Sequence, residues 1–268
     1  MDIIKRNFFR LLRSGALQNN ETLERMSAYK WNKLFLMVKS QDVLSIVMNG
    51  VTNHANDIMM NIPQYLLDVL NEENSNGQNN HEIASQMSNY FLNKRYKKIR
   101  EKEIHSIDTS VETLEILKII VMNEAYILNC GISLRLILEL GSYLRTKGDK
   151  VDFVKLDLWL MKLHIKRMAQ FEGSILISVF NFEKDEIPFV QKIEPAAERF
   201  VQRSIIHPII DTSKEWHFHQ GKSGFLKNNS TVLHRNISRS LRYIGYAPIE
   251  TTSNFIRNMA HSLSEIEE

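Results

Sequence analysis

Residues 112–163 read ETLEILKIIVMNEAYILNCGISLRLILELGSYLRTKGDKVDFVKLDLWLMKL, and the spacing of their apolar side chains decides the fold class. Leu114, Leu117, Ile120, Val121, Ala125 and Leu128 recur at helical intervals. Leu134, Ile137, Leu138 and Leu144 do so again, and a third run spans Phe153 to Leu163. Cys130-Gly131 is a natural joint between the first two runs, because glycine tolerates the positive φ of a helix end. Thr146-Lys147-Gly148-Asp149 is a second joint. The stretch predicts three consecutive helices, each hiding an apolar face against the others. The chain as a whole predicts a mainly α, multi-helical bundle with little or no β-sheet.

The same pattern extends toward the N-terminus. Residues 2–17 predict a helix with Ile3, Ile4, Phe8, Leu11 and Leu12 on one face and Lys5, Arg6, Arg10 and Arg13 largely on the other. Its functional reading is a helix on an anionic lipid surface; its plainer reading is a docked terminal helix with a solvated basic face. Residues 22–52 predict two short helices, striped by Trp31, Leu34, Phe35 and Val38 and then by Val43, Ile46, Val47 and Val51. Pro63 opens another, with Tyr65, Leu66, Val69 and Leu70 on its apolar side. Residues 71–81, NEENSNGQNNH, carry nothing to pack and read as a linker. This divides the chain into an N-terminal helical segment, 1–70, and a C-terminal helical domain, 82–268. Beyond the deciding stretch, apolar residues continue from Ile165 to Phe182, and Glu183-Lys184-Asp185-Glu186 and Pro188 break the run. Further helices are expected over about 194–206, 230–243 and 250–263, with a polar and aromatic loop before the last two.

Composition bounds the function classes. The chain has 268 residues, 43% hydrophobic and 24% charged, with 10 Gly and 5 Pro. That is an ordinary globular balance, short of the turn residues a β-sandwich needs. A net charge of +3 is too small to imply nucleic acid as a partner by itself. Cys130 is the single cysteine, so no intramolecular disulfide forms, and a reducing compartment is expected. No run approaches the roughly 20 apolar residues of a membrane span. A cytoplasmic location is the simplest expectation; the oligomeric state is not indicated.

At residues 112–190 the order of motifs becomes distinctive. An apolar helix is followed by Gly131-Ile132-Ser133-Leu134-Arg135 and a helix ending in Tyr143-Leu144. Val151-Asp152-Phe153 then opens a helix carrying Trp159-Leu160 and Lys162-Leu163, and Glu186-Ile187-Pro188-Phe189 comes last. Earlier stand Phe9-Arg10-Leu11-Leu12-Arg13, Trp31-Asn32-Lys33-Leu34, Gln41-Asp42-Val43 and Gly50, then His81-Glu82-Ile83-Ala84 and Asn93-Lys94-Arg95-Tyr96. Taken together this resembles a large bacterial family of uncharacterised nucleotidyltransferase-like proteins of the DNA polymerase β-type superfamily, over most of the chain. The resemblance implies a small α/β catalytic core with a Gly-Gly or Gly-Ser turn for triphosphate and an Asp-x-Asp pair for magnesium, placed between residue 70 and His81. Only the polar linker stands there. Met122 and Tyr126 replace histidines that relatives often carry, whereas Glu139 keeps an acidic residue one turn after Arg135. Arg135 and Glu139 are expected to pair along one helix face, with ligand contact as their second reading.

The function expected from this is a degenerate nucleotidyltransferase-family protein: a non-catalytic helical scaffold or partner-binding protein, without cofactor. The alternative is an active, magnesium-dependent transferase with a relocated site. Gly173-Ser174 would hold the triphosphate and Glu183 and Asp185 the metal, provided residues 174–182 are extended. A second alternative is weak nucleic-acid binding through the basic run Lys94-Arg95-Tyr96-Lys97-Lys98-Ile99-Arg100, with Tyr90, Phe91 and Tyr96 interleaved. Its plain reading is a solvated face balanced by Glu101 and Glu103. Trp216-His217-Phe218-His219, with His207 and Asp211, lacks a completed ligand set for zinc. Gly221-Lys222-Ser223 lacks the first glycine of a phosphate loop. Arg235, Arg239 and Arg242 share one helix face, and Cys130 reads as a packed thiol.

Overall fold

The computed structural model describes residues 2–57, 60–75, 85–106, 109–206, 218–220, 226–228 and 230–264. Of 73–75, 218–220, 226–228, 230–235 and 261–264 only the backbone is described. Twelve α-helices lie among these residues. They are α1 (Ile3–Leu17), α2 (Ala28–Ser40), α3 (Leu44–Asn53), α4 (Gln64–Ser75), α5 (Tyr90–Ile104) and α6 (Val111–Asn129). After them come α7 (Leu134–Lys147), α8 (Phe153–Lys162), α9 (Lys166–Phe180), α10 (Ala197–Ser204), α11 (Ser230–Tyr243) and α12 (Pro248–Ser264). A single antiparallel hairpin, β1 (Phe218–Gln220) and β2 (Leu226–Asn228), pairs His219 with Lys227. The mainly α architecture is therefore the one the apolar spacing predicts.

The deciding stretch folds as three helices for the reasons its sequence supplies. Gly131, at φ 101°, terminates α6. Ser133 caps α7 through its hydroxyl, and Asp152 caps α8 by accepting from the Lys155 N–H at 2.9 Å. One joint is not signalled by glycine. His164 adopts φ 58°, turning the chain between α8 and α9.

The N-terminal segment is not a separate unit. Phe8, Phe9, Leu11 and Leu12 of α1 join Phe171, Ile175, Leu176 and Phe180 of α9 in one apolar core, and Phe9 meets Phe180 edge-on at 5.9 Å. Polar ties reinforce this: Arg13 donates to the Val179 carbonyl at 3.0 Å, and Gln41 to the Ser204 carbonyl at 2.9 Å. The division at 71–81 thus separates segments in sequence that share a core in space. Helix α4 also runs through Ser75, into the expected linker.

The arginines on the basic face of α1 pair with carboxylates of the same chain. Arg6 and Arg10 hold Glu24 at 2.7 and 2.8 Å, and Arg13 holds Glu21 at 2.7 Å. The arginines clamp the irregular segment 18–27 onto the bundle. The Arg6 hydrogen bond, seconded by Arg10, pulls the Glu24 carboxyl down to about 2. No helix among the described residues is long and apolar enough to cross a membrane.

Candidate functional site

Most residues singled out from sequence are built into the scaffold. Gly173 and Ser174 lie in the middle of α9, which is helical without interruption to Phe180. A Cβ on Gly173 would sit 2.4 Å from Val190 Cγ2, so this glycine admits a packed loop, not a triphosphate. The Ser174 hydroxyl donates to the Gln170 carbonyl at 2.6 Å and accepts from the Glu194 N–H at 3.0 Å. Glu183 and Asp185 are exposed on the turn after α9. The relocated-site reading needed 174–182 extended, and residues 174–180 are instead the last two turns of a helix. Its apolar period is helical because Ile175, Leu176, Val179 and Phe180 all enter the core.

Arg135 and Glu139 do not pair. The guanidinium lies 3.9 Å from Asp42, which is 55% exposed. The reason is directional. Base before acid is the less favourable order for an i, i+4 pair on a helix, and Asp42 offers Arg135 a carboxylate from outside α7. Replacing Glu139 by Ala is expected to leave the melting temperature within about 1 °C, and Arg135→Ala to cost no more than about 1 kcal/mol, as exposed pairs do. A denaturant titration of both variants checks this.

The C-terminal arginines also turn inward: Arg239 donates to the Asn129 carbonyl, and Arg242 lies 6.0 Å from the Phe200 ring. The Arg235 side chain, His207, Asp211, Trp216, His217 and Gly221-Lys222-Ser223 lie outside the described residues, as do the side chains of Phe218 and His219. Cys130 is half-buried at the end of α6. Among the described residues no group of three or more His, Cys, Asp or Glu is placed to hold a metal ion.

What the structure does assemble is a cleft between α5 and α8. Asn89 caps α5, accepting from the Phe91 and Leu92 N–H groups at 3.0 and 3.1 Å. Leu92 and Tyr96 then face the core, and the Tyr96 hydroxyl meets Ser85 at 2.7 Å. With those positions inward, Arg95, Lys98, Ile99 and Lys102 fall on the adjoining face at i, i+3, i+4 and i+7. Across from them α8 buries Leu156 and Leu160 and turns Lys155, Trp159 and Lys162 toward α5, followed by His164 in its left-handed turn. The space enclosed is about 880 Å³, within the roughly 300–1,000 Å³ usual for ligand sites.

Its electrostatics are one-sided. Among the described residues, four lysines, one arginine and one histidine line the cleft against a single carboxylate, Glu103. That carboxylate is already used: Lys155 Nζ lies 2.7 Å away and the Ser110 N–H donates at 2.9 Å. Burial pushes the Glu103 pKa up, but those two hydrogen bonds outweigh it and hold it below the ordinary value. Arg95 reaches the Lys162 carbonyl at 3.4 Å. Lys98, Lys102 and the Lys162 ammonium have no ion-pair partner among the described residues.

The run 93–100 showed half of this site. Lys155, Lys162 and His164 come from more than 50 residues later, and the i, i+7 spacing of Lys155 and Lys162 was the only local trace of them. The expected aromatic interleaving fails. Tyr96 is 1% exposed, and Tyr90 and Phe91 stand on the first turn of α5, outside the cleft lining. The chain matches no family model, no curated protein and no solved structure.

Proposed function

We propose that this chain is a non-catalytic helical binding protein, and that the cleft between α5 and α8 holds an anionic partner. The observation that carries the reading is the surplus of cations around the cleft in a chain whose net charge is only +3. Like charges gathered on one concave wall repel, and an anionic ligand relieves that repulsion. The resemblance to nucleotidyltransferase-like proteins fits the same reading as ancestry. Only residues 76–89 separate α4 from α5, far fewer than the roughly 50 residues a domain requires.

Anisotropy titration with fluorescent poly-glutamate tests it. Binding is expected to weaken steeply with salt and to fall about tenfold in K98E/K162E, since two lost contacts of roughly 0.7 kcal/mol each sum to about 1.4 kcal/mol. Binding indifferent to the charge reversal would overturn the reading. So would magnesium-dependent transfer of a nucleotide by the purified chain.

A further inference from the structure

The outward face of α8 carries an apolar stripe beside the basic cleft. Val154, Leu158 and Met161 are 76%, 47% and 45% exposed, although each is large and aliphatic. At 100° per residue, positions i, i+4 and i+7 lie within about 60° of one another, so the three form one continuous line along the helix. Lys155 and Lys162 border that line on the cleft side. On the other side stands Asp157, which Lys166 already neutralises at 2.8 Å. Met161 belongs to both surfaces, exposed on the stripe and lining the cleft.

We propose that the partner of this cleft is an amphipathic α-helix of another protein, with an apolar stripe seated on α8 and carboxylates facing Lys98, Lys102 and Lys162. The inference rests on the anionic-partner reading and narrows it. Three features select a helix over a nucleic acid. A stripe at i, i+4, i+7 is the counterpart of the same spacing on a docked helix. A phosphodiester backbone gains nothing from aliphatic side chains. Base stacking needs open aromatic faces, and Trp159 in the cleft is 7% exposed. The charge asymmetry fixes orientation: apolar contacts on the α8 crest and ion pairs in the cleft place the partner's acidic edge toward α5.

The test uses the full chain and two labelled peptides of about 15 residues, long enough for a marginal helix. Both have the same leucines and glutamates. One places the leucines on a single helical face, and the other scrambles them. The amphipathic peptide is expected to bind about tenfold tighter than the scramble. Leu158→Ser, at an exposed position, should erase that difference, while K98E/K162E should weaken both peptides alike. Circular dichroism confirms that both variants stay folded. Equal binding of the two peptides overturns the helix and leaves the anionic-partner reading standing. A single-stranded oligonucleotide that binds tighter than either peptide, untouched by Leu158→Ser, also overturns it. Binding of neither peptide and no oligonucleotide overturns both proposals.

Discussion

Gly15→Ala is expected to lower the melting temperature by roughly 6–10 °C, about 3 kcal/mol for a chain of this size. Helices α1 and α3 cross backbone to backbone, and glycine is what lets them. A Cβ on Gly15 would lie 1.8 Å from the Ile46 carbonyl oxygen and 2.8 Å from the Gly50 nitrogen. One on Gly50 would lie 2.3 Å from the Leu11 carbonyl oxygen. Neither neighbour is a side chain that can rotate aside, so the helices must separate and the core between them must loosen. Ordinarily an alanine gains about 0.5–1 kcal/mol over glycine inside a helix. Here the clash reverses that sign. Gly50→Ala should behave similarly, and the double variant should cost less than the sum, since the first substitution already parts the helices. Gly148→Ala is the control. No atom lies within 4 Å of its Cβ, and φ −54° suits any residue. Its melting temperature should stay level or rise. A thermal scan in which Gly15→Ala melts with the parent would remove the close crossing from the account of this fold.

The crossing illustrates which parts of the molecule its sequence discloses. Helices were legible because their apolar period is local: the run from Leu114 to Leu128 needs no partner to announce itself. Joints were legible where a residue type enforces them, as at Gly131 and Pro63. His164 was not, because a left-handed histidine has no compositional mark. Pairings between distant segments were the least legible. Nothing local to Arg6, Arg10 and Arg13 shows that Glu21 and Glu24 fold back over them. A helix wheel sees only a basic face, which lipid, solvent or a carboxylate would each satisfy. The candidate site failed to appear for the same reason. Its α5 wall reads as a basic run, and its α8 wall reads as two lysines in an otherwise apolar helix. The ion pair between Lys155 and Glu103 and the hydrogen bond from Arg95 to the Lys162 carbonyl bring the walls together. Conversely, Gly173-Ser174 and Glu183-x-Asp185 looked like a site because their residue types match one. Residue type carries no information about whether the intervening chain is extended or helical.

Two buried carboxyls set the other large effect, a stability that falls as pH rises. Glu124 on α6 and Glu172 on α9 are 1% and 0% exposed. The Asn123 amide donates to Glu172 at 3.1 Å. One oxygen of each carboxyl has no hydrogen-bond partner among the described residues. Glu250 of α12 adds a third acid nearby, accepting from the Ser88 and Asn89 N–H groups at 2.6 and 3.0 Å. Burial pushes the Glu124 pKa well up, and Glu250 and Glu172 push it further. Burial does the same to Glu172 against the weaker pull of Asn123. Both side chains are therefore neutral in the native state over a wide range. In the unfolded chain they ionise near the ordinary carboxylate value of 4.5. Below that value both states are protonated and the full stability is present. Above it the unfolded state sheds protons that the native state keeps. The folding equilibrium constant then loses about a factor of ten per pH unit for each group, until the native pKa is reached. Glu24 acts in the opposite sense. Its carboxyl, drawn down to about 2, contributes stability above 4.5 that is lost as pH falls toward 2. Between them these three carboxyls contribute most to stability in mildly acid solution. Glu124→Gln and Glu172→Gln keep the shape and remove the titration. Each is expected to flatten the alkaline slope by about one proton, and to leave the variant more stable than the parent at pH 8. Chemical denaturation from pH 4 to pH 9 reads the slope directly. A parent protein whose stability is level across that range, or variants that keep the full slope, would show that these carboxyls are ionised and compensated in the native state.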